Sequence, residues 1–147
     1  MSYQFEFQKL LAIKEREKDK VLVDYNESVK HFETLAEKLY SYLKRKEELE
    51  EKKVSKLSTG LKIQDIRHQQ QFIINLEKTI AHYQKLVMES RQKMQQFQAI
   101  LLEKNIEVKK FEKMKEKRLQ AFVADLSYQE SKLMDEISIQ QFMGKGN

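Results

Sequence analysis

The chain has no cysteine and no proline, and its only glycines are Gly60, Gly144 and Gly146. The missing cysteine excludes disulfides and thiolate metal sites. The shortage of glycine and proline bears on architecture. A compact domain of 147 residues needs several turns, and turns draw on clusters of Gly, Pro, Asn, Asp and Ser. One such cluster is present, Ser58-Thr59-Gly60. Long apolar runs are missing too: none approaches the roughly 20 residues of a membrane span. Glu6 and Lys9 interrupt the start as a secretory signal, residue 2 is serine, and no CaaX box is present. A soluble, cytoplasmic protein without direct membrane insertion is expected.

Charge and apolar residues make up most of what remains, at 35% and 40%. This composition predicts long helix or coiled coil rather than a thick core. The net charge of +5 is unevenly placed. Residues 104–118 carry seven basic and three acidic side chains, whereas residues 119–142 carry one and four.

Apolar periodicity sets the architecture. In the first half a 3-4 spacing runs Phe7, Leu11, Lys14, Lys18, Val21, Tyr25, Ser28, Phe32, Leu35, Leu39, Tyr42, Lys46, Leu49, Lys53, nine of the 14 apolar. In the second it runs Ile73, Leu76, Ile80, Tyr83, Val87, Ser90, Met94, Phe97, Leu101, Lys104, Val108, Phe111, ten of the 12 apolar. Heptads sustained this long predict a coiled-coil seam. With Gly60 between the halves, the fold expected is all-α: a long antiparallel two-helix coiled-coil hairpin with unequal arms, a single elongated domain. Helix 1 is expected over about 3–57, the hinge over about 58–64 and helix 2 over about 65–142. Ser58 and Thr59 are expected to cap the second helix, with Asp65 an alternative cap.

Arms of about 55 and 80 residues span roughly 80 and 120 Å, so residues 119–142 should overhang. Leu119, Phe122, Val123, Leu126, Leu133, Met134 and Ile137 share one face of that overhang. A strict heptad continues to Lys115 and Arg118, so apolar residues at Leu119 and Phe122 predict a stutter where helix 1 runs out. The stripe is either a frayed or folded-back terminus or a helix that docks on another protein.

Recognisable catalytic chemistry is missing. There is no phosphate loop or nucleophile elbow. His31, His68 and His82 lack ligand spacing, so no metal or cofactor is expected, and no enzyme. Lys109, Lys110, Lys113, Lys115, Lys117 and Arg118 form a basic collar. Interleaved Glu107, Glu112 and Glu116 argue against nucleic acid as its partner.

In "QQQFIINLEK", residues 69–78, Ile73 and Leu76 are seam positions, which leaves Phe72 and Ile74 on the flanks. They form either a docking patch or a locally thickened core. The uncharged glutamines lower the desolvation cost of an interface.

The pattern Gln70-Gln71-Phe72-Ile73, then Leu76-Glu77-Lys78 and Ile80 beyond the glycine hinge, resembles the flagellar export protein family FliJ. The start, Tyr3-Gln4-Phe5 with Gln8-Lys9-Leu10-Leu11, is similar to Gram-positive members, and the likeness extends over nearly the whole chain. The resemblance implies a component of the flagellar type III export apparatus, similar to the central stalk of rotary ATPases. It implies three kinds of partner: the hexameric export ATPase (FliI), the export gate protein FlhA and export chaperones. It implies a position at the cytoplasmic face of the membrane, and it assigns Phe72 and Leu76 to gate docking. The heptad instead buries Leu76. The resulting expectation is a non-enzymatic coupling rod, with 119–142 on the ATPase, the collar steering it, and Phe72, Ile74 and Leu76 on the gate. The rival expectation is a scaffold that homodimerises through the C-terminal stripe.

Overall fold

The structure, a computed structural model, describes residues 3–60 and 62–145. It has two helices: α1, Gln8–Leu57, of 50 residues, and α2, Ile63–Lys145, of 83. Neither contains proline, so each intrahelical hydrogen-bond ladder runs uninterrupted. Helices this long still depend mainly on tertiary packing of one face.

α1 stops at Leu57 because the chain reverses at Gly60, whose φ of 84° is open to glycine and strained for other residues. The two hydroxyls before it act backwards, contrary to expectation. Ser58 Oγ donates to the Ser55 carbonyl at 2.6 Å and Thr59 Oγ1 to the Lys56 carbonyl at 3.0 Å. They satisfy the last carbonyls of α1 and do not cap α2. Asp65 lies in the first turn of α2, where a carboxylate favours the positive end of the helix dipole. Leu61, inside the expected hinge, lies outside the described residues.

At the other end, α1 begins at Gln8 and not near residue 3. Residues 3–7 turn instead, with Gln8 N donating to the Phe5 carbonyl at 3.1 Å. The turn tucks Phe5 into a cluster with Leu11 and Val108, against which Tyr3, Phe7 and Phe111 pack. An apolar entry segment gains more by covering this cluster than by extending the helix into water.

The chain divides into two compact units: one contains the chain ends, up to Asp19 and from Glu103, and the other is Lys20–Leu102. Within each, α1 packs antiparallel on α2. In Lys20–Leu102, Tyr42 meets Tyr83 with ring centroids 5.1 Å apart, Lys46 meets Glu77 at 3.4 Å and Lys53 meets Gln70 at 3.5 Å. In the end unit, Tyr3 meets Phe122 at 5.4 Å, Glu6 meets Arg118 at 2.6 Å and Lys14 meets Glu107 at 3.3 Å. Each series climbs α1 while it descends α2. Every heptad position named above is buried or half-buried, from Phe7 to Lys53 and from Ile73 to Phe111.

The covered stretch reaches further along α2 than the sequence predicts, and the stutter does not fall at Leu119. Arg118 keeps the strict heptad phase: its guanidinium lies 4.9 Å from the Phe7 ring centroid while it pairs with Glu6. Leu119 is exposed, and Phe122, also in strict phase, is half-buried against Tyr3. A long basic side chain fills a seam position with its stem and leaves its charge in water. Leu126, one residue off the strict phase, is half-buried, and residues 127–144 are all exposed.

Candidate docking surfaces

The first surface lies in the unit Lys20–Leu102. Ile73, Leu76 and Ile80 are buried, each adding roughly 1.5–3 kcal/mol of hydrophobic stabilisation, and they fix the rotation of α2 there. Leu76 is 7% exposed, as the heptad predicts for a seam position. Phe72 and Ile74 remain 44% and 39% exposed. Each residue advances about 100° round the helix, so they emerge on opposite flanks and do not make one patch.

Phe72 is the better-equipped of the two. The Arg45 guanidinium lies 5.2 Å from its ring centroid, and the ring joins Leu49, His68, Gln69 and Ile73 around an apolar groove of about 210 Å³. The sequence does not place Arg45, Leu49 and His68 at this groove, because α1 supplies the first two and the third reads as a surface histidine. The three glutamines have separate duties. Gln69 lines the groove, Gln70 accepts from Lys53, and Gln71 Nε2 donates to Asn75 Oδ1 at 3.3 Å.

The second surface is the end of α2. Of the seven residues predicted for it, Phe122 and Leu126 are half-buried and Leu119, Val123, Leu133, Met134 and Ile137 are exposed. Tyr128, Ile139 and Phe142 are exposed too, and helical geometry places them roughly 140–200° round from that stripe. The sequence reading missed them because a one-face search discards apolar residues off the face. The terminal stretch is therefore apolar on more than one side, which a helix ordinarily is only when surrounded.

The basic residues divide between two faces of α2. Lys109, Lys110, Lys113 and Lys117 lie along one face, and Lys110, Lys113, Met114, Lys117 and Arg118 line a shallow groove. Among the described residues none of those four lysines is paired with a carboxylate. Lys115 belongs to the seam, where its carbonyl accepts the Tyr3 hydroxyl at 3.4 Å, and Arg118 joins it there.

Charge inside the seam is paired across it. Lys14 contacts Glu17 at 3.7 Å as well as Glu107, and Lys104 contacts Glu17 at 3.2 Å and Glu107 at 3.9 Å. The hydrogen bond from Lys104 holds the Glu17 carboxyl below its usual range, and the same bond raises Lys104. In the other unit Ser28 and Ser90, 8% and 6% exposed, occupy seam positions and return their hydroxyls to Tyr25 and Val87 of their own helices. The volume their small side chains leave contributes to a groove of about 400 Å³. Among the described residues there is no grouping of His, Cys, Asp and Glu fit to hold a metal ion, and no helix long and apolar enough to cross a membrane.

A model of the family described as flagellar FliJ protein matches residues 3–147. The flagellar FliJ protein of Bacillus subtilis (strain 168) is 55% identical over 147 residues, covering 100% of both chains. No solved structure matches the chain.

Proposed function

This chain belongs to the flagellar FliJ family and is a component of the flagellar export apparatus, and from that premise we propose that it works as a non-enzymatic coupling rod. The end of α2 engages the hexameric export ATPase, FliI, and promotes its ring form. The Phe72 surface engages the gate protein FlhA. The protein also assists export chaperones, and it works at the cytoplasmic face of the membrane through the apparatus and not by insertion. The observation that carries this reading is the exposed stretch 127–144, apolar on more than one side. A surrounding socket, such as the inside of a ring, covers such a helix better than a flat surface does. The strip of unpaired lysines just before it supports electrostatic steering towards acidic groups.

The test is truncation after Leu126, which spares the covered Phe122 and Leu126. The shortened chain should melt as cooperatively as the parent and neither bind nor stimulate the ATPase. Stimulation at the parental concentration removes the end of α2 from the docking role. Sedimentation separates the rival: a dimer of the parent that becomes a monomer on truncation supports homodimerisation through the same stretch.

A further inference from the structure

The apolar face at the end of α2 is partly covered. Phe122 and Leu126 lie within about 60° of Leu119 round the helix, so they share a face with the exposed Leu119, Val123 and Leu133. Phe122 is half-buried, and the ring against it is that of Tyr3, tilted by 43° with centroids 5.4 Å apart. The segment that carries Tyr3 is held unevenly. Its root is Phe5, buried with Leu11 and Val108. Its tip, Tyr3, packs against that cluster but stays half-buried, and residues 3–5 form no helix. The Tyr3 hydroxyl donates to the Lys115 carbonyl at 3.4 Å, long for an O–H···O bond. That carbonyl lies inside α2 and already serves its hydrogen-bond ladder, so releasing the hydroxyl to water strands no backbone group.

Taking the end of α2 as the surface that meets the export ATPase, as proposed above, we infer that Tyr3 is a lid on that surface. In the free protein its ring occupies the place on Phe122 that an apolar side chain of the ATPase takes in the complex. The face is continuous up to the lid: Leu119, one turn before Phe122, is exposed, and so is Val123 beside it. A partner seated on those two residues therefore meets the rim of the Tyr3 ring. The contact is also replaceable in kind. Tyr3 offers Phe122 an apolar ring face, which an aliphatic or aromatic side chain of a partner can supply equally well. Until a partner arrives the lid keeps Phe122 from water. Its displacement then weakens binding, because the apparent affinity is lowered by the fraction of molecules in which the lid is open.

The experiment measures binding of the export ATPase to the full-length parent, Tyr3→Ala, Phe122→Ala and the double variant, at a temperature where melts show all four folded. Tyr3→Ala should bind about two- to tenfold more tightly than the parent, the worth of one aromatic pair. In the Phe122→Ala background the same change should alter affinity by less than about twofold, because the lid has lost its seat. Tyr3→Phe, which keeps the ring, should bind as the parent does. A Tyr3→Ala affinity equal to or below the parent's, or an equal gain with and without Phe122, overturns the inference: the ring then belongs to the fold or to the docking surface itself. Truncation after Leu126 keeps the two readings apart. A truncated chain that binds like the parent refutes docking at the end of α2, and the lid with it. Loss of binding on truncation without tightening by Tyr3→Ala refutes only the lid.

Discussion

Two alanine substitutions four residues apart separate seam from surface. Leu76 is 7% exposed and lies between the buried Ile73 and Ile80. Leu76→Ala removes three carbons from that layer, worth about 2.4 kcal/mol at about 0.8 kcal/mol per buried methylene. A fully enclosed leucine costs up to about 5 kcal/mol because a cavity remains. A two-helix seam is open at its sides and can close over the gap, so the expected loss is about 2–3 kcal/mol. For a chain of this size that lowers the melting temperature by about 5–10 °C. Phe72 is 44% exposed, and nothing encloses it on its outer side. Phe72→Ala forfeits part of one face and the Arg45 contact, itself worth about 0.5–1 kcal/mol at an exposed site. The expected loss is about 1–1.5 kcal/mol, or roughly 3–5 °C. The assay is a thermal melt followed by circular dichroism, paired with a gate-binding isotherm at a temperature where both variants are folded. Phe72→Ala should weaken binding by about 2 kcal/mol or more as an interface anchor, and Leu76→Ala should not. A Phe72→Ala variant that loses as much stability as Leu76→Ala and binds normally would return Phe72 to the core.

Gly60→Ala should cost about 1–2 kcal/mol in the same melt, because φ is 84° while an added Cβ meets no atom within 4 Å, so the whole penalty is backbone strain. Glu17, held below its usual carboxylate range by Lys104, contributes stability above that range and loses it as pH falls through the lowered value. The melting temperature of the parent should therefore fall more than that of Glu17→Gln between about pH 6 and pH 3. Parallel curves would show that Glu17 titrates alike in folded and unfolded chains. Replacing Lys109, Lys110, Lys113 and Lys117 with glutamine should slow association with the ATPase and flatten its salt dependence, with dissociation little changed. Stopped-flow rates across a salt titration read both.

The seam was legible because a chain without proline keeps one helical phase for tens of residues, and packing then selects the same residues that periodicity does. What the pattern missed was chemistry that hydropathy does not score. Arg118 counts as a charge in any apolar template, yet its guanidinium lies against Phe7 and holds the strict phase there. Ser58 and Thr59 read equally well as the end of one helix or the start of the next, and the direction of a hydroxyl decides it. Tyr3 and Phe5 look like the first turn of α1 until burial against Val108 and Phe122 competes with helix formation. The tip-side groove was invisible because α1 and α2 each provide part of it.

The polar residues inside the seam have a consequence for both surfaces. An apolar heptad alone tolerates a slip of α2 past α1 by about seven residues, since one leucine layer resembles the next. The charges do not tolerate it. Lys14 now faces Glu107, and Glu17 faces Lys104. After a one-heptad slip in either direction Lys14 would face Ile100 or Met114, and Glu17 would face Phe97 or Phe111. In the other unit Lys46, which now faces Glu77, would meet Gln70 or Gln84. Half-exposed ion pairs add little stability, and a slip would exchange them for neutral contacts. The pairs therefore act on register more than on strength, and register determines where α1 stops covering α2. A seam of leucines would be more stable and would leave the short connection at Gly60 to set the register alone. The Lys14, Glu17, Lys104 and Glu107 cluster adds a second restraint on that register, far from the hinge in sequence.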